Sequence, residues 1–293
     1  MKAADLTVYR RATGDEFHLR RRLWLGGKQM AGDLKAGNSE MSRFVQCLLS
    51  MLTLVICIAP AVSDETAEKS AEKPSKRYER RPDHDPNGIG KFYMGREIAH
   101  VMGFAGADWL ERSSREEEER LTLLVRSLHL KPGDVVADIG AGSGVISLRM
   151  AELILPEGKV MAVDVQKEML ERLKENCEKF GISNVEPVKG TQKTTGLKDN
   201  SIDLAIMVDV YHEFEYPYEM LADISRSMKP GGRVVFVEYR KEDPTVPIKE
   251  VHKMSQVQVR REAEQEEFGL KWTETIHVLP RQHILVFQKQ PHE

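Results

Sequence analysis

Cysteine, proline and net charge are all scarce in this chain. Three Cys in 293 residues cannot supply a disulfide scaffold. With 13 Pro and 21 Gly there is neither a collagen-like repeat nor a low-complexity bias. A formal charge of −3, from 43 basic and 46 acidic side chains, leaves no basic surplus for gripping a phosphate backbone. Long apolar runs are missing except at 45–58, which excludes a polytopic membrane protein. A hydrophobic content of 41% is nonetheless enough for a packed core and excludes a disordered chain.

The single apolar run sits in 41–63, MSRFVQCLLSMLTLVICIAPAVS. One basic residue, Arg43, precedes it, and the small residues Ala59, Ala61 and Ser63 follow. This is the layout of a secretory signal, with cleavage after Ser63 or Ala61. The run is shorter than the ~20 residues of a membrane span, so an uncleaved anchor is the alternative. Bulky Val55 and Ile56 before Cys57 argue against lipid attachment there. The expected location is therefore exported, periplasmic or secreted, or else membrane-anchored, with the membrane touched only through this segment. The forty polar residues 1–40, with their Arg20-Arg21-Arg22 cluster, are expected to reflect a mis-called start, translation beginning at Met41. A chain from residue 64 would carry a charge of −7 and one thiol, Cys177. Such a chain must be stabilised by its core. Residues 64–90 read as a polar linker, in which Asp83-His84-Asp85 binds nothing.

The folded domain is expected at 91–290. Tyr93, Met94, Ile98, Val101 and Met102 suggest a short helix within 91–106. Ser113 with Glu116, and Ser114 with Glu117, have capping-box spacing, and the four Glu of 116–119 read as a solvated helix start. Leu121, Leu124 and Leu128 give that helix its apolar face. Strands then alternate with helices: strands at 135–138, 159–164, 185–189, 202–208 and 233–239, helices at 143–155, 166–180 and 218–228. A long polar helix is expected at 248–268, followed by strands 272–278 and 283–288 paired antiparallel through Leu279-Pro280. Near-continuous apolar strands alternating with helices indicate an α/β fold with a mainly parallel sheet and helices on both faces. Cys177 falls on the apolar face of its helix and reads as packing.

Asp138-Ile139-Gly140-Ala141-Gly142-Ser143-Gly144 lies between a strand and a helix. Glycines there let the backbone turn tightly and approach a ligand, and a helix start offers free N–H groups. Asp164 ends the next strand, where a carboxylate can accept both hydroxyl hydrogens of a ribose. Together they indicate a nucleoside-containing cofactor. The third glycine comes one residue too early for a dinucleotide fingerprint. Asp138 would repel a pyrophosphate but suits a cofactor carrying an amine and a positive charge.

These segments, with VMAVDV, SIDLAIMVDVYHEF and MKPGGRVVFVE in order and spacing, resemble the class I S-adenosylmethionine-dependent methyltransferases over about 93–288. Among these the chain looks most like small-molecule enzymes of the ubiquinone/menaquinone type. YMGREIAHVMG and WLER resemble exported bacterial relatives. The resemblance implies a Rossmann-like seven-stranded sheet with an antiparallel last strand, to which the apolar pattern at 91–106 adds a short N-terminal helical extension. It implies that Gly140, Gly142 and Gly144 pass the methionine part of S-adenosyl-L-methionine, with Asp138 near its amino group. Asp164, followed by Val165, would hold the ribose. Thr191 stands where an acidic residue usually meets the adenine, and Thr191 or Gln192 would serve instead. Asp209 would shape the cofactor pocket, and Tyr93 and Arg96 would close over it.

An acceptor that must lose a proton needs a base. His212, whose ordinary pKa is ~6.5, and the adjacent Glu213 are the candidates, just beyond the fourth strand. The segment lacks the Asn/Asp-Pro-Pro-Tyr/Phe of nucleic-acid base methyltransferases. No HExxH is present, so no metal is expected. The reading is methyl transfer to a small-molecule acceptor. The alternatives are a non-catalytic nucleoside-binding or sensory module and an aminopropyl transferase.

Overall fold

The computed structural model describes residues 77–291. The expected extension 1–40, the signal 41–63 and the linker up to residue 76 lie outside the described residues. Among the described residues no helix is long and apolar enough to cross a membrane.

The chain first forms a small antiparallel sheet of β1 (Tyr78–Arg80), β2 (Gly88–Tyr93) and β3 (Arg96–Ala99). A helix was expected over 91–106. Instead Met94 and Gly95, with φ of 48° and 95°, make the two-residue turn that joins β2 to β3. Lys91 docks this hairpin on the domain. Its amine lies 4.1 Å over the Tyr78 ring and 3.4 Å over the Tyr216 ring, and donates to the Glu215 carbonyl at 2.6 Å. Helical structure begins only after the hairpin, with a 3-10 turn at Phe104–Gly106 and α1 (Ala107–Leu110).

The expected single helix near 116–128 is two, α2 (Arg115–Glu119) and α3 (Leu121–Ser127), broken where Arg120 takes φ 53°. Ser114 makes no side-chain cap. The Glu run is only partly solvated: Glu119 is buried and accepts from Arg112, Arg115 and Tyr239. Leu121, Leu124 and Leu128 are buried as expected.

The main sheet holds β4 (Val135–Ile139), β5 (Lys159–Asp164), β6 (Val185–Lys189), β7 (Ile202–Val208), β8 (Met228–Tyr239), β9 (Leu270–Ile276) and β10 (Gln282–Lys289), in the order β6-β5-β4-β7-β8-β10-β9. β4 to β8 pair in parallel, while β10 is antiparallel to both β8 and β9. Strand side chains alternate between faces, so the sheet divides the core in two. Val136, Leu204, Val235 and Ile284 pack with α3, α4 (Val145–Ala151) and α5 (Lys167–Phe180). Their neighbours Ala137, Ala205, Val234 and Leu285 pack with α6 (Pro217–Ser227) and α7 (Gln256–Ala263). Two buried faces explain why these strands lack polar alternation. Cys177 is buried in the first of these layers. The polar helix expected at 248–268 is shorter: α7 starts at a Ser255 cap, flanked by 3-10 turns at Glu250–His252 and Glu266–Phe268.

Candidate active site

β4, β5, β7 and β8 run the same way, so their carboxyl ends form one edge. Ligands in open parallel sheets bind beyond such an edge. A cavity of about 540 Å³ lies there.

One end is built from the glycine turn. Gly140 and Gly142 line the cavity. Gly140 has φ 75°, and a Cβ on it would fall 2.5 Å from Val210 Cγ2, so no side chain fits. Gly144 does not line the cavity. A Cβ there would meet Leu148 at 2.8 Å and Leu173 at 2.9 Å, so this glycine permits close packing of α4 on α5. Asp164 lines the cavity and anchors the turn: Oδ2 accepts the Gly142 N–H at 2.9 Å and Oδ1 the Gln166 N–H at 2.8 Å. Burial nevertheless raises its pKa. Asp138 stands behind the turn, outside the lining, and accepts the Ser147 hydroxyl at 2.6 Å. Burial pushes its carboxyl up to about 6.

Val165, Thr191 and Gln192 line the cavity beyond Asp164, with Gln166 and Met169. The Thr191 hydroxyl is engaged in its own turn, accepting the N–H groups of Lys193 and Thr194. Tyr93 and Arg96 do not close over this space. Tyr93 is fully buried and its hydroxyl accepts from Gln265 at 2.6 Å. Arg96 forms a bidentate pair with buried Glu262, at 2.7 and 3.1 Å, and donates to the His212 carbonyl. Val101, Met102, Trp109 and Leu110 line the cavity instead. Met102 is held by its carbonyl, which accepts from Gln166, and by its N–H, which donates to Glu213.

The other end gathers Asp209, His212, Glu213 and His252. Asp209 takes φ 51° as the chain leaves β7. Its Oδ2 accepts from Gln282, while its buried Oδ1 has no hydrogen-bond partner. Burial, with the Glu119 and Glu238 charges adding, raises its pKa far above the usual carboxylate range. His212 follows in a 3-10 turn, Tyr211–Glu213. Its Nδ1 lies 2.6 Å from Glu238 Oε2 and its Nε2 3.1 Å from His252 Nδ1. Burial pushes His212 down to about 4 and Glu213 up to about 7. His212 is thus a weaker proton acceptor than its sequence position suggests, with both nitrogens engaged.

A methyltransferase-domain family model matches residues 130–279, half of the chain. The chain belongs to this methyltransferase family. A C-methyltransferase of ubiquinone/menaquinone biosynthesis from Francisella philomiragia is 29% identical over 120 residues, 41% of this chain and 47% of the relative. A 37.1 kDa protein of transposon TN4556 from Streptomyces fradiae is 32% identical over 117 residues, 40% of this chain and 33% of the relative. The chain thus spans between a third and a half of the length of these relatives. The crystal structure of a SAM-dependent methyltransferase from Aquifex aeolicus superposes with a TM-score of 0.60 at 25% identity, covering 64% of this chain and all of that one.

Membership of this family and the likeness to the SAM-dependent Aquifex aeolicus structure imply S-adenosyl-L-methionine as the cofactor. The residues present fit it. The Gly140–Gly142 cradle is closed to side chains, and Asp164 keeps lone pairs beyond its two backbone bonds. The partnerless Asp209 oxygen is a polar atom free to hydrogen-bond beside the same cavity.

The sequence reading missed His252 and Glu238. Glu238 had a signal: it is the one carboxylate within the apolar β8 stretch Val234–Tyr239. His252 had none, since it lay in a segment read as a uniform polar helix.

Proposed function

We propose that this protein transfers the methyl group of S-adenosylmethionine to a small-molecule acceptor held at the His212–Glu213–His252 end of the cavity. The observation that carries this reading is continuity. Gly140, Gly142 and Asp164 line the same space of about 540 Å³ as His212, Glu213 and His252. That volume suits small molecules.

When bound, the cofactor supplies a methyl group already activated on a sulfonium. The protein's work is then positioning, which can account for roughly 7–11 kcal/mol of a barrier. Asp164 would hold the ribose, and the Gly140–Gly142 backbone the methionine part. Val165, Thr191 and Gln192 would flank the adenine. Val101, Met102, Trp109 and Leu110 line the site with largely apolar surface. At the far end the side chains of His212, Glu213 and His252 line the space that receives the acceptor and orient it. The acidic balance of the chain argues against a nucleic-acid acceptor. The signal-like segment 41–63 supports export of this domain, or its anchoring to a membrane.

Titration calorimetry of the full chain with S-adenosylmethionine and S-adenosylhomocysteine tests the reading. Micromolar binding of both, lost in Asp164→Ala, is expected, and a screen for acceptors that gain a methyl mass follows. Absence of binding by the wild-type protein would overturn it.

A further inference from the structure

His212, Glu213 and His252 converge more closely than an acceptor pocket requires. His212 Nε2 is 3.1 Å from His252 Nδ1, His252 Nδ1 is 3.7 Å from Glu213 Oε1, and Glu213 Oε1 is 3.9 Å from His212 Nε2. A point equidistant from the three atoms lies about 2.1 Å from each, the length of a zinc–imidazole or zinc–carboxylate bond. Among the described residues this is the group of His and carboxylate side chains with donor atoms close enough to share an ion.

The surroundings match as well. His212 turns Nδ1 to Glu238 Oε2 at 2.6 Å, which leaves Nε2 aimed at the shared point. A metal-binding histidine commonly has its other nitrogen held by a carboxylate in this way. Glu238 is itself fixed, since its Oε1 accepts the Tyr211 N–H at 3.0 Å. Glu213 is tied through its second oxygen to the Met102 N–H at 3.3 Å, leaving Oε1 for the ion. His212 and Glu213 are buried and His252 is partly exposed, so the site has an entry path.

We propose that His212 Nε2, His252 Nδ1 and Glu213 Oε1 form a site for a divalent transition-metal ion at the acceptor end of the cavity. Two imidazoles and one carboxylate suit zinc-like ions. Three protein ligands leave a position open, and all three residues line the cavity. The role of the ion rests on the methyl-transfer reading above: it binds the acceptor's hydroxyl or thiol and lowers its pKa. The O–H or S–H bond breaks and its proton passes to solvent. The freed lone pair forms the bond to the methyl carbon, and the methyl–sulfur bond breaks with its electron pair staying on the cofactor sulfur.

The test is metal binding by the full chain, stripped with a chelator and titrated with Zn²⁺, with Co²⁺ as a spectroscopic probe. One equivalent of tightly bound zinc and visible Co²⁺ absorption bands are expected. His252→Ala and Glu213→Gln should each weaken zinc binding at least tenfold while unfolding at near wild-type temperature. Glu238→Gln should weaken it about tenfold through the loss of His212 positioning. Asp164→Ala should keep the zinc and lose S-adenosylmethionine. No stoichiometric zinc in the wild type, or zinc retained undiminished in both His252→Ala and Glu213→Gln, would overturn the proposal. Zinc binding without S-adenosylmethionine binding supports the metal site and removes the methyl-transfer reading instead.

Discussion

At one end of the cavity the ligand-facing groups come largely from a single strand–turn–helix and the strand after it, between Ile139 and Gln166. At the other end they come from three separated places, Met102, the turn at Tyr211–Glu213 and His252, with Glu238 of β8 holding His212 from behind. The first end works mainly through backbone, with one carboxylate, Asp164, bracing the turn. The second works through side chains that hold one another. Local chain geometry suffices for the first, whereas the second exists only when distant segments are brought into register.

The largest effect should come from breaking the acceptor end from behind. Arg96 and Glu262 are both buried and paired, and Arg96 also donates to the His212 carbonyl. Arg96→Ala leaves a buried carboxylate unpaired and should cost about 3–5 kcal/mol in chemical denaturation. An Arg96→Ala protein of wild-type stability would show that the two ends do not differ in this way.

Next is the cofactor end. Asp164→Ala removes the acceptor proposed for two ribose hydroxyls and should weaken S-adenosylmethionine binding at least ~100-fold by calorimetry, from hydrogen bonds to a charged group worth about 1.5–3 kcal/mol each. His252→Ala should leave that affinity within a few-fold, and an equal loss in both variants would merge the two ends into one unit.

Gly140→Ala tests whether backbone alone shapes the cofactor end. A φ of 75° and a Cβ 2.5 Å from Val210 predict a cost of about 1–3 kcal/mol in stability. Trimming the neighbour in Gly140→Ala/Val210→Ala should return part of it, as the thermal midpoint would show.

The smallest effect should be the pH dependence of Asp138. Burial raises its folded pKa to about 6 from an ordinary 3.8. The folded state therefore holds a proton that the unfolded state releases, and this contribution is present below about pH 4 and lost as pH rises through about 6. Asp138→Asn, which still accepts from Ser147, should gain thermal midpoint relative to wild type as pH rises from 4 to 7. A pH-independent difference between the two would argue against a protonated Asp138.

Most of the sheet was legible because its strands are apolar on both faces and the intervening helices carry one apolar stripe. The β5 and β6 bounds agree with the sequence reading, and α5 agrees within one residue. The hairpin at β2–β3 was not legible as such. Its apolar residues admit helical spacing, and the decisive feature is the positive φ of both Met94 and Gly95. The Glu116–Glu119 run looked solvated because two of its partners, Arg281 and Tyr239, lie more than a hundred residues away and engage it together with the nearby Arg112 and Arg115.

The sequence by itself determined the parallel sheet, the glycine turn and the aspartate that ends the next strand. These depend on backbone conformation and on residues close in the chain. Only the tertiary structure decided the acceptor end. His212 meets Glu238 across 26 residues and His252 across 40. Those meetings follow from β7 and β8 lying side by side and from the chain beyond β8 folding back over their carboxyl ends. No local spacing rule encodes such a meeting, because side chains that come together across strands are placed by packing rather than by their distance in sequence.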